Sequence, residues 1–111
     1  MPAPFTFTQR VARLYDLGVR FDIEDLPVLA AYTWHLDARG YCQAYRPHDR
    51  KLLRMHEVLL GPAPDGMVID HKNRDTTDNR RVNLRYATRE QNVRNAENVG
   101  RYMTTTGVQH P

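Results

Sequence analysis

Residues 67–92 read MVIDHKNRDTTDNRRVNLRYATREQN. Met67-Val68-Ile69 is short, apolar and largely β-branched, which predicts a strand ending on Asp70-His71. Val82 to Ala87 alternates apolar and polar residues and predicts a second strand. Thr88-Arg89-Glu90-Gln91 is a capping-box pattern, with a hydroxyl to cap the first turn and Gln three residues later. A helix is therefore expected from 89 to about 98, with Gly100 just beyond it. The polar run between the strands reads as a turn, and Asn79 within it as a turn former. The unit is strand, loop, strand, helix.

Upstream, Phe7, Val11 and Leu14 recur at helical steps and predict a helix within residues 1–18, capped at Thr8 and ended by Gly18. Val19 to Ile23 alternates as a strand does, and Glu24 to Leu29 suggests a short helix. Thr33–Leu36 and Tyr41–Tyr45 read as strands joined by the turn Asp37–Gly40. Residues 51–56 extend that sheet before turning helical through Leu60. Gly61–Gly66 contains two prolines and two glycines and is a loop. The expected class is α+β: a small mixed or antiparallel sheet in residues 1–60, a second unit in 61–98, and a tail in 99–111.

The chain has 111 residues, enough for one domain with one modest core. It has no apolar run long enough to span a membrane and no secretory pattern at its start, so no membrane is expected as a partner. Cys42 is the single cysteine, which excludes an internal disulfide and a Cys-x-x-Cys zinc knuckle. A reducing, cytoplasmic setting is the expectation. The net charge of +3 is mild but unevenly placed. Residues 70–111 carry Lys72 and seven arginines against Asp70, Asp75, Asp78, Glu90 and Glu97. Guanidinium forks match phosphate oxygens in two-point contacts, so this bias points to a polyanion. Arg80, Arg81, Arg85, Arg89 and Arg94 are the candidate DNA-backbone contacts.

Phosphodiester hydrolysis needs a base for water, a cation for the charge that develops on phosphate, and a fixed line between them. His71 is the candidate base, because an imidazole titrates near working pH. Asp70 is a hard oxygen ligand suited to Mg²⁺ or Mn²⁺. Neighbouring strand residues face opposite ways, so the pair serves one site only where the strand ends or twists. A His base must hold its second ring nitrogen on an acceptor, and Asn83 on the neighbouring strand is the candidate. Asn92, one turn into the helix, is the candidate second metal ligand. Asn95 lies on the same helix face and is its rival. His56 reads as a brace of the core, with lining of the site as the alternative.

With these residues in order, the stretch resembles the HNH nuclease signature in its phage homing-endonuclease form. The resemblance rests on Asp70-His71, then Asn83-Leu84-Arg85-Tyr86-Ala87-Thr88, then Gln91-Asn92-Val93-Arg94-Asn95. Trp34, Gly40-Tyr41, Met55-His56 and Leu59-Leu60-Gly61 resemble the family's N-terminal half, so the likeness covers roughly residues 20–98. It implies a ββα-metal (His-Me finger) unit and a metal-dependent endonuclease that nicks or cuts double-stranded DNA, leaving 5′-phosphate and 3′-hydroxyl ends. His71 would be the general base, with Asn83 orienting it. Asp70 and Asn92 would hold one divalent ion, and no small-molecule cofactor is implied. The family's setting is phage or bacterial host, with a role in intron mobility. Glu57 departs from the pattern, standing where the family usually has Arg. Longer relatives continue into a DNA-binding segment, of which Thr106-Gly107-Val108-Gln109 resembles the start.

Two other classes stand beside the nuclease. A DNA-binding module of the same shape would bind without cutting, although it has no need of a base and ligands together. A structural protein would use the polar run only as a loop, and the arginine bias and capping-box register speak against that. Target site, choice of nick or double-strand break, and oligomeric state are open at this level.

Overall fold

In the computed structural model, which describes residues 5–96, the first helix is capped by Thr6 rather than Thr8. The Thr6 hydroxyl accepts from the Gln9 N–H, and the Gln9 side chain accepts from the Thr6 N–H. Thr8 has Val11 three residues on, so it cannot form this reciprocal pair. Helix α1 (Phe7–Asp16) closes as Gly18 takes φ of +72°, a left-handed value that glycine adopts without a Cβ penalty.

Residues 19–23 alternate as expected, yet they form no regular strand. Arg20 N–H donates to Thr77 O at 2.8 Å, and Asn79 N–H donates to Arg20 O at 2.8 Å. The segment is thus extended, but its partner is the 72–80 connection, met at a single parallel bridge between Arg20 and Asp78. A 3-10 turn (Ile23–Asp25) and helix α2 (Leu26–Leu29) follow.

Strands β1 (His35–Leu36), β2 (Cys42–Tyr45) and β3 (Leu52–Arg54) make an antiparallel sheet in that order, with Gln43 between His35 and Arg54. Helix α3 (Met55–Leu60) leaves directly from β3 and turns its Met55, His56 and Leu59 inward. Strands β4 (Met67–His71) and β5 (Leu84–Thr88) form a second antiparallel pair, registered with Asp70 opposite Arg85 and His71 opposite Leu84. The capping box at Thr88 and Gln91 is present, and α4 is helical over 89–96. The class is therefore α+β, with both sheets antiparallel. The expected end of α4 and the 99–111 tail lie outside the described residues.

Trp34, Leu14, Leu29, Met55 and Cys42 are fully enclosed and form one cluster with Leu84 of β5. Ile69 of β4 packs against it, so residues on both sides of the 61–66 loop share a core. Burying an aliphatic side chain of this size is worth about 1.5–3 kcal/mol. The Trp34 indole N–H donates to Leu29 O at 2.7 Å, which settles its one polar group. Burial pushes the Cys42 thiol up to about 12, so it packs as a small apolar residue without thiolate chemistry. Among the described residues no helix is long and apolar enough to cross a membrane. The core thus holds the β4–β5 pair and leaves its Asp70-His71 end facing α3 on one side and α4 on the other.

Candidate active site

His71 is the last residue of β4, and its side chain turns toward α3 and β2, where it is 3% exposed. Its ring meets His56 edge to face at 5.3 Å between centroids, and Tyr41 at 6.0 Å. Tyr41 and His56 are themselves 5.8 Å apart, so three rings form a closed group. Burial, together with the positive potential of His71 and Arg54, pushes the His56 pKa down to about 4. His56 is accordingly neutral at physiological pH and packs against His71; it is buried, as a brace of the core would be, and it also lines the cavity beside His71, the alternative weighed for it. A cavity of about 330 Å³ opens on this side, with Arg39, Tyr41, Arg54 and His56 among its walls.

The ring nitrogen of His71 is held by Asn79, not by Asn83. His71 Nε2 lies 2.9 Å from Asn79 Oδ1, and the Asn79 amide donates in turn to Met55 Sδ at 3.4 Å. With an amide oxygen against Nε2, that nitrogen carries the hydrogen and Nδ1 keeps the lone pair. Asn79 is 1% exposed, so the residue expected to be a simple turn former is a buried partner of the histidine.

Asn83 misses His71 because the strand starts two residues later than expected, at Leu84 and not Val82. Residues Arg81–Asn83 form a 3-10 turn, and the ladder opens with Leu84 opposite His71. The Asn83 side chain therefore points into the 72–80 connection. Its oxygen accepts from Asn73 N–H at 3.0 Å, and its amide donates to Asn73 Oδ1 and to Asp78 O, each at 2.9 Å. The connection is further tied by Thr76, whose hydroxyl donates to Gly40 O at 2.8 Å, and by Asp75, which accepts from Thr77. Asn83 thus shapes the loop that carries Asn79, and it acts on the histidine only through that loop.

Asp70, one residue earlier in β4, points to the other side, toward α4. It is 1% exposed and surrounded by donors. Arg85, its cross-strand partner, donates from Nε to Oδ2 at 3.0 Å. Arg74 donates from Nη1 to Oδ1 at 3.1 Å, and the same Nη1 donates to Asn92 Oδ1 at 2.6 Å. The two residues expected as metal ligands are thus brought together around one cationic nitrogen. One carboxylate and one amide oxygen are hard donors of the kind a small divalent cation takes, so this donor set fits such an ion. Asn95 presents its amide nitrogen, donating to both Asp70 oxygens and to His71 O at 3.2–3.3 Å. In this arrangement it braces the strand end and offers no oxygen to a cation. Among the described residues no three His, Cys, Asp or Glu side chains form a metal cluster.

The arginines expected to meet DNA divide into two groups. Arg80 forks onto Asp78, Arg81 onto Asp25, and Arg85 pairs with Asp70, each carboxylate being buried. The Arg80 guanidinium holds the Asp78 carboxyl below its usual range. These three arginines are structural counter-ions, because a buried carboxylate left unpaired is costly. Arg89 and Arg94 are exposed on α4. Sequence reasoning did not find Arg74 or Asn79 as site residues. Arg74 stands four residues after Asp70, but in a turn that spacing carries no facing rule, and nothing in the order of residues marks either side chain as inward.

With this geometry in view, the chain was compared with known proteins. Residues 55–94 match a family model described as HNH endonuclease. Over 72 residues the chain is 31% identical to the uncharacterized HNH endonuclease L560 of Acanthamoeba polyphaga mimivirus. That alignment takes in 63% of this chain and 38% of the mimivirus protein, so the chain spans well under half of that relative's length. No solved structure matches.

Proposed function

We propose that the chain, whose residues 55–94 match the HNH endonuclease family, hydrolyses phosphodiester bonds of double-stranded DNA with one divalent ion. The observation that carries the reading is the placement of Asp70 Oδ1 and Asn92 Oδ1 about a single cationic nitrogen, at 3.1 and 2.6 Å, at the strand end where the next residue, His71, has its ring fixed by Asn79 on the opposite side of β4. Asp70 and Asn92 would hold the ion. When bound, that ion supplies charge neutralisation for the phosphate and the departing 3′ oxygen.

The chain's own residues supply the rest. Asn79 accepts from Nε2–H of His71 and so leaves Nδ1 to take a proton from water. The hydroxide adds to phosphorus, the bond to the 3′ oxygen breaks, that oxygen takes a proton from solvent water, and His71 returns to solvent the proton it accepted, leaving 5′-phosphate and 3′-hydroxyl ends. Tyr41 and His56 restrain the ring against rotation. Asn83 keeps the 72–80 connection in place. A general base contributes about 10²–10⁴ to the rate, so electrostatics and positioning must carry most of an endonuclease's acceleration. Arg89 and Arg94, exposed on α4, would serve as backbone contacts. The reading takes Mg²⁺ or Mn²⁺ as the ion, the cytoplasm of a phage or bacterial host as the setting, and a homing-endonuclease-like role.

The test uses supercoiled plasmid with Mg²⁺ or Mn²⁺, with and without EDTA. Metal-dependent nicking or linearisation by the wild type is expected. His71→Ala should bind DNA with unchanged affinity and leave it uncut. Cutting by His71→Ala at the wild-type rate would remove the base assignment. Retarded but uncut DNA with the wild type would replace the nuclease by a binding module, and salt-independent binding would remove DNA as the partner.

A further inference from the structure

Among the described residues Arg74 is the one that touches both oxygens assigned to the ion, and it does so from a constrained backbone. Its φ is +63°, a left-handed value rarely adopted by residues with a side chain. The turn His71–Arg74 is closed by Arg74 N–H donating to His71 O at 2.9 Å. Asn73 is bound on both edges by Asn83 and to Asp78, so the turn cannot relax alone. This framework returns the Arg74 guanidinium over the end of β4, where a single nitrogen fills the position between Asp70 Oδ1 and Asn92 Oδ1.

A guanidinium nitrogen and a divalent ion cannot share that position. A Mg²⁺–oxygen bond is about 2.1 Å long, and two positive groups on one carboxylate oxygen repel. Nor can the site stand bare. Asp70 has its side chain fully enclosed, and an enclosed carboxylate short of partners is strongly disfavoured. Arg85 covers Oδ2 and reaches neither Oδ1 nor Asn92 in the described contacts. When no ion is present Arg74 therefore gives Oδ1 its charged partner among the described residues, beside the longer contact from the Asn95 amide at 3.3 Å, and it lies only one-third exposed while doing so.

We infer that Arg74 is an internal counter-ion that occupies the metal position of the ion-free protein and is displaced from Asp70 and Asn92 when a divalent cation binds. This inference rests on the metal-dependent reading above. It has two consequences. The ion-free site presents no uncompensated carboxylate to an approaching phosphate, so DNA binding does not require the metal. Metal affinity is lowered by the fraction of time Arg74 spends in place.

The test is Mn²⁺ binding without DNA, by calorimetry, for the wild type, Arg74→Gln and Arg85→Gln. Arg74→Gln should bind Mn²⁺ about tenfold more tightly, as expected if the position is open about one-tenth of the time in the wild type. Arg85→Gln removes the same charge from Asp70 without emptying the position, and should tighten binding clearly less than Arg74→Gln does. Equal gains in the two variants would reduce the effect to charge and overturn the inference. Unchanged or weaker binding by Arg74→Gln would overturn it too, while leaving the metal-dependent reading intact. Absence of Mn²⁺ binding in all three proteins would instead overturn that reading and this inference together. A second measurement needs no variant and so survives a folding failure. On titration of the wild type with Mg²⁺, the Arg74 side-chain N–H resonances should shift and exchange faster with water. Arg74 resonances that stay fixed while Mg²⁺ saturates the protein would overturn displacement.

Discussion

Replacing each of the two asparagines by aspartate separates their roles, because aspartate keeps an oxygen acceptor and loses the amide donor. Asn79 uses its oxygen toward His71 Nε2 at 2.9 Å, and its amide makes only a long contact to Met55 Sδ at 3.4 Å. Asn79→Asp therefore retains the bond that orients the ring. Asn83 uses its amide twice, toward Asn73 Oδ1 and Asp78 O, both at 2.9 Å. Asn83→Asp loses both bonds and sets a carboxylate against two oxygens. Each buried bond broken so that an acceptor is left unpaired costs about 1–3 kcal/mol, so losing two should make Asn83→Asp destabilise the protein by about 2–6 kcal/mol. For a chain of this size that lowers Tm by about 10 °C or more. Asn79→Ala leaves the buried His71 N–H without an acceptor, costs about 1–3 kcal/mol, and should slow cutting by about 10²-fold as the ring loses its orientation. Thermal melts and single-turnover nicking of supercoiled plasmid read the two quantities. The expected ranking has Asn79→Asp nearest the wild type in both, Asn79→Ala folded but slow, and Asn83→Asp poorly folded. An Asn83→Asp protein as stable as wild type, or an Asn79→Ala protein that cuts at the wild-type rate, would refute the assignment of the ring partner.

Two further outcomes follow from the neighbourhood of the site. His56 has its pKa pushed down to about 4 by burial, from 6.5, so the unfolded chain binds a proton between those values while the folded one does not. Its contribution to stability is present above pH 6.5 and falls by about 3 kcal/mol as pH drops to about 4. Urea unfolding of the wild type and His56→Phe from pH 7 to 4 should show a shallower pH slope in the variant, and identical slopes would contradict a neutral buried His56. Gly40 has φ of +85°, and a Cβ there would sit 3.1 Å from the Thr76 hydroxyl oxygen. Gly40→Ala should cost about 1–2 kcal/mol in backbone strain and loosen the 72–80 connection, which a melt together with a plasmid assay would detect as lower Tm and slower nicking.

Much of the scaffold is readable without coordinates because its signals are local. Thr88 and Gln91 sit three residues apart, and reciprocal capping needs nothing else. The β4 segment is a short, largely β-branched apolar run, and the β5 segment alternates apolar and polar residues. The likeness of Asp70-His71, Asn83 and Gln91-Asn92 to a known signature points to the family whose model residues 55–94 match, because order and spacing survive in a linear string. Convergence of Asp70 with Asn92 also follows from the order strand, strand, helix, since the capping box sets where Asn92 falls on the first turns.

What the string does not hold is where side chains of an irregular segment point. Strand and helix have periods of 2.0 and 3.6, so a residue number implies a face. The 72–80 connection has no period, and its course is set by bonds to distant groups: Thr76 to Gly40, the 77–79 backbone to Arg20, and Asn73 to Asn83. Those long-range ties decide that Asn79, and not Asn83, reaches His71, and that Arg74 folds back over Asp70. They also decide which arginines are spent on the chain itself. Asp25 and Arg81 are remote in sequence, and only packing α2 beside the 3-10 turn at 81–83 turns a candidate DNA contact into an internal ion pair. Residue types and their order determined the chemistry available to this protein. The tertiary structure assigned that chemistry to particular side chains, because burial and partner choice are properties of neighbours in space.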